Sequence, residues 1–159
     1  FKGEQKEYFD HKSRITIRHL MTHTSGLPPF KKYFLMDNNI QTRLDSIMNT
    51  EPEIGLNQTT IYSDVGLIVL GKVIESVSKN SLDDFVDSVI FEPLGLKSSF
   101  YNPPYEKNKR VIPTEFSELY GELIKGYVHD ENAKSIGGVA GHAGLFSTAS
   151  DLAIPTLCC

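Results

Sequence analysis

Ile15-Thr16-Ile17-Arg18-His19-Leu20-Met21-Thr22-His23-Thr24-Ser25-Gly26-Leu27-Pro28 holds a helix start, two histidines and a helix stop within one short segment. The Thr16 hydroxyl can accept a bond from a free amide of the first turn, which predicts a short helix through His23. Gly26 and Pro28 follow as its stop. On such a helix His19 and His23, four residues apart, share a face and could grip a metal. A zinc-protease helix needs Glu directly after its first histidine as general base, and Leu20 stands there instead. Ser25 and His23 are of the right types for a nucleophile and its base. Ser25 lies where the helix is being terminated, however, so a capping and turn role is expected for it.

Outward from this stretch, Pro28-Pro29-Phe30 opens a loop and a helix is predicted over Ile40 to Met48. The run Glu51 to Asn57 breaks regular structure and delivers the chain to Ile61-Tyr62-Ser63-Asp64 at a helix entrance. Val65 to Val77 is apolar on most sides, the pattern of a helix buried within a larger body. Ser81 with Asp84 makes a capping box, after which Leu82, Phe85, Val86, Val89 and Ile90 form a helical stripe ended by Pro93. Ser98 to Gly137 reads as loop, with one or two short strands around Leu123 to Val128. Thr148 with Asp151 caps a last helix, which Pro155 is expected to interrupt, consistent with a truncation or shifted reading frame near Ile154.

Composition excludes several functions. With 159 residues, 40% hydrophobic and 23% charged, the chain can bury one core of modest size. A net charge of −4 and pI near 5.7 leave no basic stripe to meet phosphates, so nucleic acid is not an expected partner. The longest apolar run, Val65 to Leu70 with Gly66 inside it, falls far short of the roughly 20 residues of a membrane span. Cys158 and Cys159 are adjacent, cannot close a structural loop, and leave the redox compartment open. The chain starts at Phe1 without a basic, apolar and small-residue leader, so a targeting segment is either absent or not included.

The segment ending in His23-Thr24-Ser25-Gly26-Leu27-Pro28 resembles a structural hallmark of the serine β-lactamase-related family, which includes class C β-lactamases, D-alanyl-D-alanine peptidases and related esterases. Further matches follow in order. Tyr62-Ser63-Asp64-Val65-Gly66 is similar to the family's Tyr-x-Asn element, and Phe91-Glu92-Pro93-Leu94-Gly95-Leu96 to its Pro-Leu-Gly turn. Val128-His129-Asp130-Glu131-Asn132-Ala133 and Gly137 to Ala149, with its Gly141-His142-Ala143-Gly144-Leu145-Phe146, resemble one branch of the family. The resemblance spans Thr16 to Ile154.

It implies an α+β fold of the β-lactamase/transpeptidase kind, of which residues 1–159 would be a partial domain: mostly the helical lobe, with few short strands. It implies acyl transfer or hydrolysis of an ester, amide or β-lactam through a serine ester, with no metal and no organic cofactor. Tyr62 matches the tyrosine that shares the serine proton with a lysine. Asp64 replaces the usual Asn; when ionised it accepts hydrogen bonds but cannot donate them. The family's Ser-x-x-Lys and its Lys-Thr-Gly or His-x-Gly strand are not found in their expected places. Ser76-Val77-Ser78-Lys79 is a literal match at the wrong end of a helix, where the dipole disfavours an alkoxide, and His142-Ala143-Gly144 belongs to the loop match, with a packing or site-lining role. The implied partner is a small-molecule or peptidoglycan-like acyl substrate, and the implied location is extracytoplasmic or the cell envelope; the oligomeric state is not implied. Two other readings stay open: a non-catalytic remnant or binding module, and, ranked behind it, a metal-dependent hydrolase using His19 and His23.

Overall fold

The computed structural model describes residues 11–36, 39–104, 107 and 110–157. Helix α1 (Ile17–Met21) starts where Thr16 requires: its hydroxyl accepts the His19 amide at 3.3 Å, and His19 Nδ1 accepts the Thr16 amide at 3.1 Å. Histidine thus takes the place usually held by Glu in a capping box. The helix ends two residues before His23. That residue has φ 56° and leaves the helical path, because its carbonyl is drawn to the amide of Ile61 at 3.0 Å.

The segment after α1 is laced to the stretch that leads into the longest helix. Asn57 N donates to Thr24 O at 3.0 Å, Glu53 N to Gly26 O at 2.8 Å, and Asp64 N to Pro29 O at 2.9 Å. Gly26 has φ 77°, and a Cβ there would lie 1.9 Å from Ile54 O, so both conformation and contact demand glycine. Helix α2 (Ile40–Met48) has the expected bounds, with the Asn39 side chain accepting the Thr42 amide at 2.9 Å. Helix α3 (Asp64–Ser78) is capped by Ser63 and buries Val65, Gly66, Ile68 and Gly71, whereas Val77 is 79% exposed. Its apolar character therefore serves one side near its start and is partly left to solvent at its end.

The Ser81 cap opens α4 (Leu82–Val86), but the helix then widens into a π segment over Asp87–Phe91 before α5 (Glu92–Leu94). This corrects the expected stripe. Widening rotates the following side chains, so Leu82 and Phe91 are buried while Val89 is 55% and Ile90 38% exposed. Pro93 does not end the helix; it sits within α5, which continues directly from the π segment, and Gly95 closes the turn with φ 69°.

Two antiparallel pairs complete the chain. Strand β1 (Phe100–Tyr101) pairs with β4 (Leu145–Phe146), and β2 (Phe116–Ser117) with β3 (Glu122–Leu123). Between them lies α6 (Glu131–Ser135), capped by Asp130, which the sequence pattern did not reveal. The last helix, α7 (Ala149–Leu157), carries Pro155 inside it rather than stopping there, forgoing one main-chain bond near its end. Asp151 at its start accepts the Ser98 amide at 2.7 Å and the Ser99 hydroxyl at 3.0 Å, tying α7 to the segment before β1. The core joins Leu20, Leu27, Ile47, Val65, Ile68, Val128, Ala133 and Ile136, so α1, α2, α3 and α6 share one apolar interior. The class is α+β, mostly helical with few short strands. Among the described residues no helix is long and apolar enough to cross a membrane.

Gly26→Ala places a Cβ on the Ile54 carbonyl and forces an alanine into a left-handed conformation. A loss of about 2 kcal/mol or more is expected in urea unfolding. An unchanged midpoint would show that the loop yields freely.

Candidate active site

Ser63, 1% exposed, sets the site. Its hydroxyl donates to Pro28 O at 2.7 Å and accepts the Gly66 amide at 2.9 Å, while its own amide donates to His23 Nδ1 at 3.2 Å. One short side chain therefore caps α3 and bolts it to the loop after α1. The residues on either side of it face the candidate chemistry. Tyr62 is 60% exposed, with its ring 4.7 Å from that of His23 at an interplanar angle of 40°.

Asp64 begins α3, where the helix dipole favours a negative charge, and its carboxylate is near enough to the Tyr62 hydroxyl to act on it electrostatically. Partial desolvation, the influence of Asp64 and the weaker charge effect of Asp130 hold the Tyr62 hydroxyl above the ordinary phenol range. Because the residue is mostly exposed, water screens these influences and they carry little folding energy.

Asp130 and His142 come from separate segments and meet beside Asp64. His142 Nε2 lies 2.9 Å from Asp130 Oδ1, and one ligand-type atom from each of Asp64, Asp130 and His142 falls within 4.8 Å of the others. Asp130 also caps α6, accepting the Ala133 amide at 2.7 Å. Burial works against its ionisation, but the hydrogen bond from His142, the Ala133 amide, the charge of His142 and the Asn132 amide together hold its carboxyl below the usual range. His142 is brought in by a close glycine contact: a Cβ on Gly141 would lie 2.2 Å from Leu67 O, so only a bare backbone lets this loop settle on α3. The sequence reading left His142 with a packing or site-lining role and did not single out Asp130. The tight Gly141 to Gly144 turn and the cap-forming position of Asp130 were the signals available.

The structure corrects the shared-face reading of His19 and His23. Since α1 ends at Met21 and His23 has φ 56°, the two do not stand one turn apart on a helix. His19 is occupied with the Thr16 amide and lies 3.2 Å from Asn57 Nδ2, and His23 accepts the Ser63 amide and stacks on Tyr62. Ser25 is 1% exposed, with its hydroxyl turned to the Leu27 amide at 3.4 Å, as a turn residue would be. Ser76 to Lys79 lies at the C-terminal end of α3, where Lys79 takes the left-handed cap at φ 62°. A cleft of about 890 Å³, with Phe100, Ile112, His129 and Phe146 in its wall, also reaches Asp130, but neither Tyr62 nor Asp64 lines it.

The fold, mostly helical with few short strands, is that of the β-lactamases and penicillin-binding proteins. The Beta-lactamase family model matches residues 6–156, and the chain belongs to that family. It is 33% identical, over 97% of its length and 40% of the relative's, to a Salmonella typhimurium protein provisionally named a D-alanyl-D-alanine carboxypeptidase. The chain thus spans about two-fifths of the length of the curated relatives it matches. In fold it resembles a β-lactamase/D-alanine carboxypeptidase from Pseudomonas syringae, with a TM-score of 0.68, 21% identity and coverage of 94% of this chain and 41% of that one. It also resembles the octameric penicillin-binding protein homologue from Pyrococcus abyssi, with a TM-score of 0.61, 23% identity and coverage of 89% and 34%.

Ser63→Ala removes both the α3 cap and the bond to Pro28 from a buried position. A loss of about 1–2 kcal/mol is expected, measured by chemical denaturation. A smaller effect than that of an exposed serine would mean the bolt contributes nothing.

Proposed function

We propose that this chain is a central part of a serine hydrolase that transfers or hydrolyses acyl groups through a serine ester, with Tyr62 relaying the serine proton and Asp64 anchoring a cation beside it. The observation that carries this reading is the exposed Tyr62 at the entrance of α3, beside Asp64 and next to the Ser63 bolt. Two carboxylates near a phenol favour its protonated form, so Tyr62 acts as a proton acceptor only when a positive charge joins it. The lysine of a Ser-x-x-Lys element is the group the family resemblance supplies for that purpose. The names of the curated relatives favour peptides ending in D-alanine over simple esters as substrates, and Asp64 in place of Asn weakens donation to a substrate carbonyl.

Two outcomes separate this enzyme from a non-catalytic remnant or binding module. The chain by itself is expected to stay unlabelled by fluorescent penicillin or a phosphonate, because a relay without its nucleophile forms no acyl-enzyme. Labelling at Ser25 or Ser76 would overturn the assignment. In the full-length polypeptide that carries this segment, Tyr62→Phe is expected to lower turnover of a D-alanyl peptide by about a hundredfold or more at unchanged melting temperature, the scale of a lost general acid or base. Near-parental turnover in that folded variant would make Tyr62 a packing residue. Asp64→Asn is expected to be tolerated better and to shift the pH profile.

A further inference from the structure

We propose that Asp64, Asp130 and His142 form a binding site for one divalent transition-metal ion of the zinc class. The three residues reach the site from the first turn of α3, the cap of α6 and the Gly141 to Gly144 turn, with their ligand-type atoms within 4.8 Å of one another. They are not neighbours on a solvated acidic face. Two carboxylates and a neutral imidazole match a divalent ion in charge, and a mixed nitrogen and oxygen set suits zinc, manganese or cobalt better than magnesium or calcium, which prefer oxygen alone.

His142 supplies an independent indication. Its side chain is only 2% exposed, Nε2 approaches Asp130 Oδ1 at 2.9 Å, and Nδ1 is buried with no hydrogen-bond partner among the described residues. A buried imidazole normally fills both nitrogens. Among the described residues no group outside the cluster fixes which nitrogen carries the proton, so either tautomer is open and the ring can offer a lone pair to an ion. Nε2 and Oδ1, now 2.9 Å apart, would have to separate by only a few tenths of an ångström to stand as adjacent tetrahedral ligands of an ion held by bonds of about 2.0–2.1 Å. Asp130 is already oriented by its cap on α6, and an Asp64 carboxylate oxygen lies within 4.8 Å of the ligand-type atoms of the other two residues. His23 is committed to the Ser63 amide and stays outside.

This site shares Asp64 with the acyl-transfer reading but does not rest on it, since ion binding is read directly on the chain and acyl transfer by labelling. The test is calorimetric titration of the chain with zinc, paired with cobalt titration followed by visible absorption. Both are run in a background with Cys158→Ser and Cys159→Ser, so that the terminal thiols cannot be the ligands. One ion per chain is expected, with a cobalt spectrum that zinc abolishes and magnesium does not. Asp64→Asn, which keeps the shape of the side chain, and His142→Gln are each expected to weaken zinc by about tenfold or more, as loss of a ligand does at least as strongly as loss of its supporting partner. His19→Gln is expected to leave it unchanged. Absence of saturable one-to-one binding, or binding that survives Asp64→Asn in a chain with unaltered circular dichroism, would overturn the proposal. So would dependence on His19 or on the thiols.

Discussion

The Ser63 hydroxyl is the constraint on which the rest of the site depends. Buried to 1% exposure, it uses its proton on Pro28 O and a lone pair on the Gly66 amide, so the loop after α1 and the start of α3 cannot move separately. A hydrogen bond of this kind contributes only about 1 kcal/mol net, but its position gives it leverage. The residues before and after it, Tyr62 and Asp64, are pointed by a backbone that has few alternatives. The amides of Asn57, Ile61 and Asp64 reinforce the same seam by bonding to Thr24, His23 and Pro29.

Charge then shapes what the seam can do. The charges acting on the Tyr62 hydroxyl are acidic, Asp64 more strongly and Asp130 less, and they favour the protonated phenol. On the proposed relay reading a cation would have to offset the two carboxylates before the proton could leave. Lys134, the nearest cation along α6, is committed elsewhere: its ammonium lies 3.5 Å from the centre of the Tyr120 ring and 4.0 Å from that of Tyr127. A lysine from another segment and a divalent ion at the Asp64, Asp130 and His142 cluster are two ways of meeting one electrostatic need, and they make different demands on His142.

Local chemistry in the sequence was informative wherever a side chain satisfies a nearby backbone group. Thr16, Ser81 and Thr148 each cap the helix expected of them, and Ser63 caps the one whose entrance was expected at Ile61 to Asp64, because such a bond spans three residues and needs nothing from the remainder of the fold. Periodicity was less reliable. The stripe from Leu82 to Ile90 reads as one amphipathic helix, yet a π segment at Asp87–Phe91 turns Val89 and Ile90 outward and hands the buried position to Phe91. Helix α6 was missed since it is short. Its Asn132 is held from far along the chain, donating to Lys31 O at 2.8 Å and accepting the Phe34 amide at 3.2 Å.

The sequence by itself determined the family, the starts of most helices though not of α6, and Tyr62 and Asp64 as the candidate pair, all of which depend on contiguous residues and their order. Only the tertiary structure decided what surrounds that pair. It separated His19 from His23, since the left-handed turn at His23 is imposed by a partner strand of backbone from Asn57 to Ser63. It also brought Asp130, at the cap of α6, and His142, on a loop seated on α3 through the contact of Gly141 with Leu67, to Asp64. Contacts across such sequence distances leave no periodic trace, because what fixes them is the packing of one backbone on another.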